Sequence, residues 1–221
     1  MQNEETERAR RILGKLKENL AVPQLSSIET DPFKVLIRTI ISQSTAEINT
    51  RRAYQNLSAR LSITLGALAK ADVEEIEEAL KVAGLYRNKS RVIKKVSSLI
   101  LERFNGSLDF VYSLPLDESR EKLMSLPGVG PKTADIVLLF CGKRPVLPVD
   151  THVDRVSKRL GLVPSKASYE ETRKSLQEMY NSKEYFEVHM LFIALGRKYC
   201  KAIKPLHAIC PVVGLCPSAK A

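Results

Sequence analysis

The sequence lacks an apolar run of about 18 residues, the minimum length that would cross a membrane as a helix. Its first residues, MQNEETERARRILGKLKENL, are charged and contain no apolar core of a secretory signal. It shows no convincing pair of strands, no long linker, no low-complexity segment and no repeat period. These absences predict a soluble, intracellular, helical protein with no membrane partner.

Acidic residues are the scarcer charged class, since 25 aspartates and glutamates stand against 35 lysines and arginines. The formal net charge is +10, and the isoelectric point is about 9.5. Lysine and arginine neutralise phosphates and release counterions, so this balance favours a polyanionic partner. Charge alone leaves open a basic protein that has no role with nucleic acids.

Cysteine is also scarce, with four residues in the chain. Cys141 stands alone in an apolar run and is predicted to be a small buried side chain. Cys200, Cys210 and Cys216 cluster near the C-terminus. In an intracellular protein, clustered cysteines indicate a metal site more often than disulfides.

Apolar residues recur at helical spacing through most of the chain, which predicts an all-α fold. The predicted helices cover residues 3–20, 33–42, 46–61, 72–82, 87–104, 117–126, 151–160, 168–180 and 183–199, with a further helix opening after residue 130.

Several residue types mark the predicted helix ends. Asp31, followed by proline, is a candidate N-cap, and a capping box begins at Ser168. Ser44 or Thr45 is expected to cap the helix that follows it. Gly84 occupies a C-terminal position that tolerates positive φ.

The most informative stretch is residues 126–152, LPGVGPKTADIVLLFCGKRPVLPVDTH. Gly128 and Gly130 are expected to permit a sharp turn between two helices, free of Cβ clashes. Backbone N–H groups of this turn, and of the helix that follows, would then form an anion site suited to a DNA phosphate. Such a contact positions DNA without reading its sequence.

Two side chains in this stretch are candidates for chemistry. Lys132 lies just inside the helix, where the positive helix end and desolvation would lower its pKa. Asp150 follows in the segment VDTH. Taken singly, Lys132 could be a surface lysine and Asp150 a helix cap, and these alternatives stay open at this point.

Taken together, LPGVGPKTADIV and VDTH closely resemble the motif of the endonuclease III family, in the helix-hairpin-helix-GPD superfamily of DNA glycosylases. The similarity extends to residues 33–45, to Gly84-Leu85-Tyr86 and to residues 189–216. It therefore covers most of the chain.

The resemblance implies two helical lobes. A central multi-helix lobe would span residues 24–144, with the helix-hairpin-helix at 126–132. A second helical domain would combine residues 1–23 with 145–221 and contain a cluster loop at 200–216. We expect a monomer, because nothing in the sequence indicates oligomerisation.

The resemblance also implies chemistry on a nucleotide flipped out of double-stranded DNA. A lysine at the position of Lys132 would attack C1′, expel the base and form a Schiff base that leads to β-elimination. An aspartate at the position of Asp150 would take a proton or stabilise positive charge at C1′. Gln43 and Leu85 would fill or wedge the vacated gap. The phosphate contact would come from the hairpin residues Gly128, Val129 and Gly130.

The C-terminal tail departs from the family pattern at one position. The family binds a [4Fe–4S] cluster through Cys-x6-Cys-x2-Cys-x5-Cys, whereas this chain has Cys200-x6-His207-x2-Cys210-x5-Cys216. The resemblance favours a [4Fe–4S] cluster held by three cysteines and His207. A three-iron or labile cluster, a zinc ion in a Cys3His site and no metal at all are the alternatives.

The sequence therefore predicts a base-excision repair enzyme, a DNA glycosylase and AP lyase that removes oxidised or damaged pyrimidines from duplex DNA or acts at an abasic site. One alternative is a glycosylase for uracil or thymine mismatched with guanine, or for oxidised guanine. Another, of a different class, is a non-catalytic helix-hairpin-helix module that only binds DNA.

Overall fold

The computed structural model describes residues 2–219, with side chains described from residue 4. The ends of the second predicted lobe, residues 1 and 220–221, lie outside these residues. Within the described residues every regular element is a helix and no strand occurs, which confirms the all-α prediction. The helices are α1 (Gln2–Asn19), α2 (Pro32–Ser42), α3 (Glu47–Arg60), α4 (Leu65–Lys70), α5 (Val73–Leu80), α6 (Tyr86–Arg103), α7 (Phe110–Ser113), α8 (Leu116–Met124), α9 (Pro131–Phe140), α10 (Thr151–Arg159), α11 (Tyr169–Met179) and α12 (Tyr185–Lys198).

The chain forms two compact units. The central unit is Glu29–Arg144, and the terminal unit combines Met1–Ile28 with Pro145–Ala221. Along residues 2–219, none of the helices is both long enough and apolar enough to cross a membrane.

The central unit is built around α2, which packs against α3, α6 and α9. Asp31 begins this helix as predicted, because its Oδ1 accepts hydrogen bonds from the backbone N–H groups of Phe33 and Lys34. Pro32 follows at the first helical position, where its missing N–H costs nothing. The apolar residues of α2 are buried: Phe33, Val35, Leu36, Ile37, Ile40 and Ile41.

The terminal unit packs α1 against α11 and α12, and α10 against α11 and α12. Ala9, Ile12 and Leu16 of α1 are fully buried, as expected from their spacing. The predicted capping box of α11 is present: Ser168 Oγ accepts from the Glu171 N–H, and the Glu171 carboxylate accepts from the Ser168 N–H.

Two short helices, α4 and α7, were not predicted. With six and four residues, they are too short for a helical period to stand out in the sequence. Both are fixed instead by packing, α4 against α6 and α7 against α8. The spacing of apolar residues therefore predicted the long helices but not these two short ones.

Replacing Leu36 by alanine is expected to lower the free energy of unfolding by about 2–5 kcal/mol, because the side chain is fully buried in α2. Ile48→Ala is the control, since Ile48 is exposed and its truncation should cost less than about 0.5 kcal/mol. Denaturant unfolding of the two variants measures the difference. Equal losses would show that α2 does not form the core of the central unit.

Candidate active-site residues and the C-terminal cysteine tail

The hairpin of the central unit joins α8 to α9 through a turn at residues 125–130. Gly128 has φ +72°, and a Cβ added there would lie 2.8 Å from Val92 Cγ1 of α6. Glycine is therefore required at this position by conformation and by space. Gly130 differs from the expectation, because it has φ −92° and ψ −179° and open space around its Cα. Its extended backbone suits any residue, so only Gly128 makes the sharp turn.

Helix α9 begins directly after this turn with Pro131, and Lys132 follows at its second position. Lys132 is partly exposed, whereas Asp135, one turn further along, is fully buried. Arg120 of α8 holds Asp135 in a two-pronged ion pair, with Nε–Oδ1 at 2.7 Å and Nη2–Oδ2 at 3.3 Å. This pair fixes α8 against α9, and so fixes the helix on which Lys132 lies.

Gln43 immediately follows α2 and reaches the hairpin. Its Nε2 donates to the Gly128 carbonyl at 2.9 Å and lies 3.5 Å from Thr133 Oγ1. The structure thus brings two predicted DNA-contact residues, Gln43 and Gly128, into direct contact. Thr133 was not predicted, and nothing in the sequence distinguishes it from an ordinary helical threonine.

Leu85 is an exposed apolar residue, with 65% of its surface accessible. It precedes α6 in the left-handed conformation, at φ 58° and ψ 30°. The prediction had placed positive φ at Gly84, and this was wrong. Gly84 is needed for space instead, because a Cβ there would lie 2.9 Å from the Ser44 carbonyl oxygen. Only a structure shows this close approach of two distant chain segments.

Asp150 lies in the terminal unit as the N-cap of α10. Its Oδ1 accepts hydrogen bonds from the N–H groups of His152 and Val153, each at 2.8 Å. The segment before it is anchored at two points: the Leu147 N–H donates to Gln177 Oε1, and buried His189 binds the Pro148 carbonyl through Nδ1. The carboxylate is therefore held in a defined place within its unit.

His152 follows Asp150 by two residues and is expected to be neutral. Burial lowers the pKa of His152, Arg155 and Arg197 lower it further, and Asp150 opposes them. Arg155 Nη2 lies 3.0 Å from His152 Nδ1. Because arginine only donates, Nδ1 must accept, and the ring proton lies on Nε2.

The four predicted metal ligands line one space in the terminal unit. Cys200, His207, Cys210 and Cys216 line a small space that is partly open to solvent, and most other lining residues are apolar. Burial raises the pKa of the Cys210 thiol, and the Cys216 and Cys200 sulfurs raise it further, against a hydrogen bond from the Val212 backbone. None of the four cysteines in the chain forms a disulfide.

Across residues 2–219, no three histidine, cysteine, aspartate or glutamate side chains converge where one metal ion could bind. A zinc site needs its ligand atoms about 2.0–2.3 Å from a single ion. In an iron–sulfur cluster each protein ligand binds a different iron, so the ligands stand further apart. Three thiols and an imidazole are ligand types that iron–sulfur clusters and zinc both accept.

Comparisons with known proteins agree with this arrangement. The family model of the HhH-GPD superfamily of base excision DNA repair proteins matches residues 37–182. Endonuclease III of Thermotoga maritima is 38% identical over 182 residues, covering 82% of this chain and 81% of that protein. Endonuclease III of Bacillus subtilis is 33% identical over 204 residues, covering 92% and 89%.

Among solved structures, a trapped endonuclease III–DNA covalent intermediate aligns with a TM-score of 0.84 and 31% identity, covering 97% of each chain. The chain belongs to the endonuclease III family of the HhH-GPD superfamily. The family prediction and the predicted enzyme class, a DNA glycosylase and AP lyase of base excision repair, are thereby confirmed. The alternative of a non-catalytic DNA-binding module is wrong.

This endonuclease III family member also has tail contacts that the sequence analysis missed. Arg159 Nη1 donates to the Lys201 carbonyl at 2.6 Å and lies 3.5 Å from Cys200 Sγ, while Arg155 Nε donates to the Cys200 carbonyl. These contacts anchor the start of the tail to α10. The two arginines lie 45 and 41 residues before Cys200, so no local pattern links them to the tail.

The two hairpin glycines are expected to respond differently to substitution. Gly128→Ala should lower the free energy of unfolding by at least about 1–2 kcal/mol, because alanine is strained at positive φ and its Cβ would meet Val92. Gly130→Ala adds a methyl group in open space at an extended residue and should cost clearly less. Thermal or denaturant unfolding of the two variants and the wild type measures these losses. Equal losses would contradict the assignment of the turn to Gly128.

Proposed function

We propose that this chain removes oxidised or damaged pyrimidines from duplex DNA and then cuts the strand 3′ to the lesion. The observation that carries the proposal is Lys132 in the first turn of α9, directly after the hairpin turn. A trapped covalent intermediate of an endonuclease III with DNA, to which this chain is similar throughout, supports a covalent mechanism. Because the substrate is cellular DNA, the proposal includes an intracellular location.

The hairpin is the phosphate contact in this proposal. The first N–H groups of a helix have no acceptor within the helix, and they point along its axis from the positive end of the helix dipole. In α9 this end adjoins the turn at Gly128, Val129 and Gly130. A DNA phosphate bound there would hold the backbone beside Lys132, and the net charge of +10 adds long-range attraction.

Lys132 is the nucleophile. Its deprotonated Nζ attacks C1′ of the flipped nucleotide, the C1′–N bond breaks, and the base leaves with its electron pair and takes up a proton. The C1′–Nζ bond becomes a protonated Schiff base as the sugar ring opens. This iminium acidifies the C2′ proton, whose removal expels the 3′ phosphate by β-elimination.

Asp150 supplies the carboxylate that these reaction steps require. Both capping N–H groups bind Oδ1, so the cap does not use Oδ2. The second oxygen would accept the Lys132 proton before attack and would offset positive charge at C1′. Oδ1 thus holds the carboxylate in place through the cap, and Oδ2 takes part in the reaction.

Gln43 and Leu85 keep the damaged nucleotide out of the stack. Gln43 fills the vacated space next to the hairpin, consistent with its hydrogen bond to the Gly128 carbonyl. Leu85 wedges between bases, since it is an exposed apolar side chain on a constrained backbone. An apolar wedge offsets the free-energy cost of unstacking, because it covers the apolar base surface that unstacking exposes.

The tail holds a [4Fe–4S] cluster through Cys200, His207, Cys210 and Cys216. The support is that all four line one space and that the spacing of three of them matches the family's cluster-binding cysteines. Bound there, the cluster would cross-link the tail and contribute to its folding. The proposal gives it no part in base removal or strand cleavage.

Lys132→Gln is expected to abolish the adduct that borohydride traps between the protein and abasic DNA, because glutamine cannot form a Schiff base.

Asp150→Asn keeps an N-cap but removes the charge, so base removal should slow by about 10²–10⁴-fold while DNA binding stays near wild type. Single-turnover kinetics and equilibrium binding measure these effects on a panel of duplexes with single lesions.

Asp31→Asn is the matched control, because Asp31 caps α2 through the same pair of hydrogen bonds and has no proposed chemical role. It should leave base removal unchanged. An adduct that survives Lys132→Gln would overturn the nucleophile, and equal loss of binding and turnover in Asp150→Asn would make Asp150 a structural cap. Faster release of mismatched thymine or oxidised guanine than of oxidised pyrimidines would reverse the lesion preference.

Anaerobically purified protein is expected to contain iron and acid-labile sulfide and to absorb visible light. Cys210→Ser should lose most of this iron, because serine is a poor ligand for a cluster held by thiolates. Cys141→Ser is the control, since Cys141 is buried in the central unit. A colourless protein with one bound zinc would refute the cluster.

A further inference from the structure

Lys89 is a lysine with only 3% of its surface exposed. Lysine is almost never fully buried unless its charge is paired. Its Nζ donates to the Ile41 carbonyl at 2.8 Å and to Thr45 Oγ1 at 2.6 Å. Burial lowers the pKa of Lys89 to about 8, and none of the acidic residues in the described part of the chain forms an ion pair with it. A lysine whose burial is energetically unfavourable thus binds two neutral oxygens.

Those two oxygens flank the turn that contains Gln43. The Ile41 carbonyl belongs to the last turn of α2. Carbonyls there receive no hydrogen bond from an N–H of the same helix, and the negative end of the helix dipole favours a cation beside them. Thr45 Oγ1 in turn donates to the Gln43 carbonyl at 3.1 Å. Lys89 therefore reaches the Gln43 main chain through one hydroxyl group.

This use of Thr45 explains an error in the sequence prediction. Thr45 or Ser44 was expected to cap α3, but the N-cap is Ala46 and no side chain caps the helix. The Thr45 hydroxyl is engaged by Lys89 instead. The partner lies 44 residues further along the chain, so the competition could not be seen locally.

The same lysine is tied to the other DNA-contact segment. Lys89 lies one helical turn after Leu85, and its main-chain N–H makes the ordinary helical hydrogen bond to the Leu85 carbonyl at 3.1 Å. Its side chain therefore starts from the first turn of the helix that Leu85 precedes. The neighbouring Gly84 approaches Ser44 so closely that a Cβ would lie 2.9 Å from its carbonyl oxygen. Ser44 and Leu85 both have positive φ, a conformation that persists only where the surroundings enforce it.

We propose that Lys89 is a positioning residue that locks the turn of Gln43 to the turn of Leu85, so that both enter DNA as one rigid piece. The inference rests on the gap-filling and wedging roles proposed above. Without the tie, each turn can relax separately, and the flipped nucleotide is held less well. Lys89 itself touches neither DNA nor the reacting atoms in this proposal.

The test compares two substrates. Lys89→Met keeps most of the apolar stem of the side chain and removes its donors. On a duplex with one oxidised pyrimidine, base removal should slow by about tenfold or more, because misplacement of positioning groups costs rate steeply. On single-stranded DNA with a preformed abasic site, which requires no flipping, the borohydride-trapped adduct should form at the wild-type rate.

A spectroscopic readout separates positioning from general damage to the fold. With 2-aminopurine opposite an abasic site in duplex DNA, wild-type protein should raise the fluorescence as it unstacks the base, and Lys89→Met should raise it less. Lys95→Met removes a charge from an exposed position of the same helix and should match the wild type in all three assays. An unchanged duplex rate in Lys89→Met, or an equal loss on both substrates, would overturn the proposal.

Thr45→Val provides a second variant if Lys89→Met folds poorly. It removes the hydroxyl at nearly constant shape and should slow the duplex reaction in the same direction by a smaller factor. The double variant should be no slower than Lys89→Met alone, because both act through one connection. Additive losses would contradict the proposed relay.

Gln43→Ala and Leu85→Ala distinguish failure of this inference from failure of the proposed function. If both slow the duplex reaction while Lys89→Met does not, the DNA-contact roles stand and the tie is wrong. If neither slows it, the roles assigned to Gln43 and Leu85 are themselves wrong.

Discussion

The ends of helices constrain this structure more than any other feature. Each helix leaves N–H groups at its start and carbonyls at its end that need partners outside the helix. Asp150 meets this need for α10, and Lys89 meets it for α2. Lys132 lies in the first turn of α9, and Leu85 is the residue before α6. The residues proposed to act on DNA thus gather where backbone groups are available for binding and where helices fix positions precisely.

Asp150 shows how one side chain can serve structure and chemistry together. A carboxylate has two oxygens and about four acceptor sites, so capping through Oδ1 leaves Oδ2 outside the cap. The cap also orients the group, because two hydrogen bonds of 2.8 Å determine its rotamer. The structural interpretation of Asp150 as a cap and the catalytic one are therefore compatible, and the first makes the second more precise.

Local patterns in the sequence predicted the features whose causes are local. Asp31, Ser168 and Asp150 form caps within three residues of themselves, and Gly128 makes its own turn. The lysine and aspartate of the central stretch were proposed as catalytic because their family motif is nearly continuous in the chain.

The errors arose where a distant segment decides the outcome. Thr45 does not cap α3 because Lys89 engages its hydroxyl, and Gly84 is needed for the approach of Ser44 rather than for positive φ. Arg155 and Arg159 reach the cysteine tail from α10 across more than 40 residues. Contacts of this range follow from the packing of helices and leave no periodic trace in the sequence.

The choice of partners for Lys89 has an electrostatic consequence. A carboxylate would neutralise its ammonium group, and the pair would contribute no net charge to the central unit. A carbonyl and a hydroxyl satisfy the donors but leave the positive charge in place, beneath the turn of Gln43. The start of α9, which Gln43 contacts through the Gly128 carbonyl, adds the positive end of a helix dipole to the same unit. The tie that holds the two DNA-contact turns together therefore also favours the polyanion that they are proposed to enter, which an apolar core residue could not do.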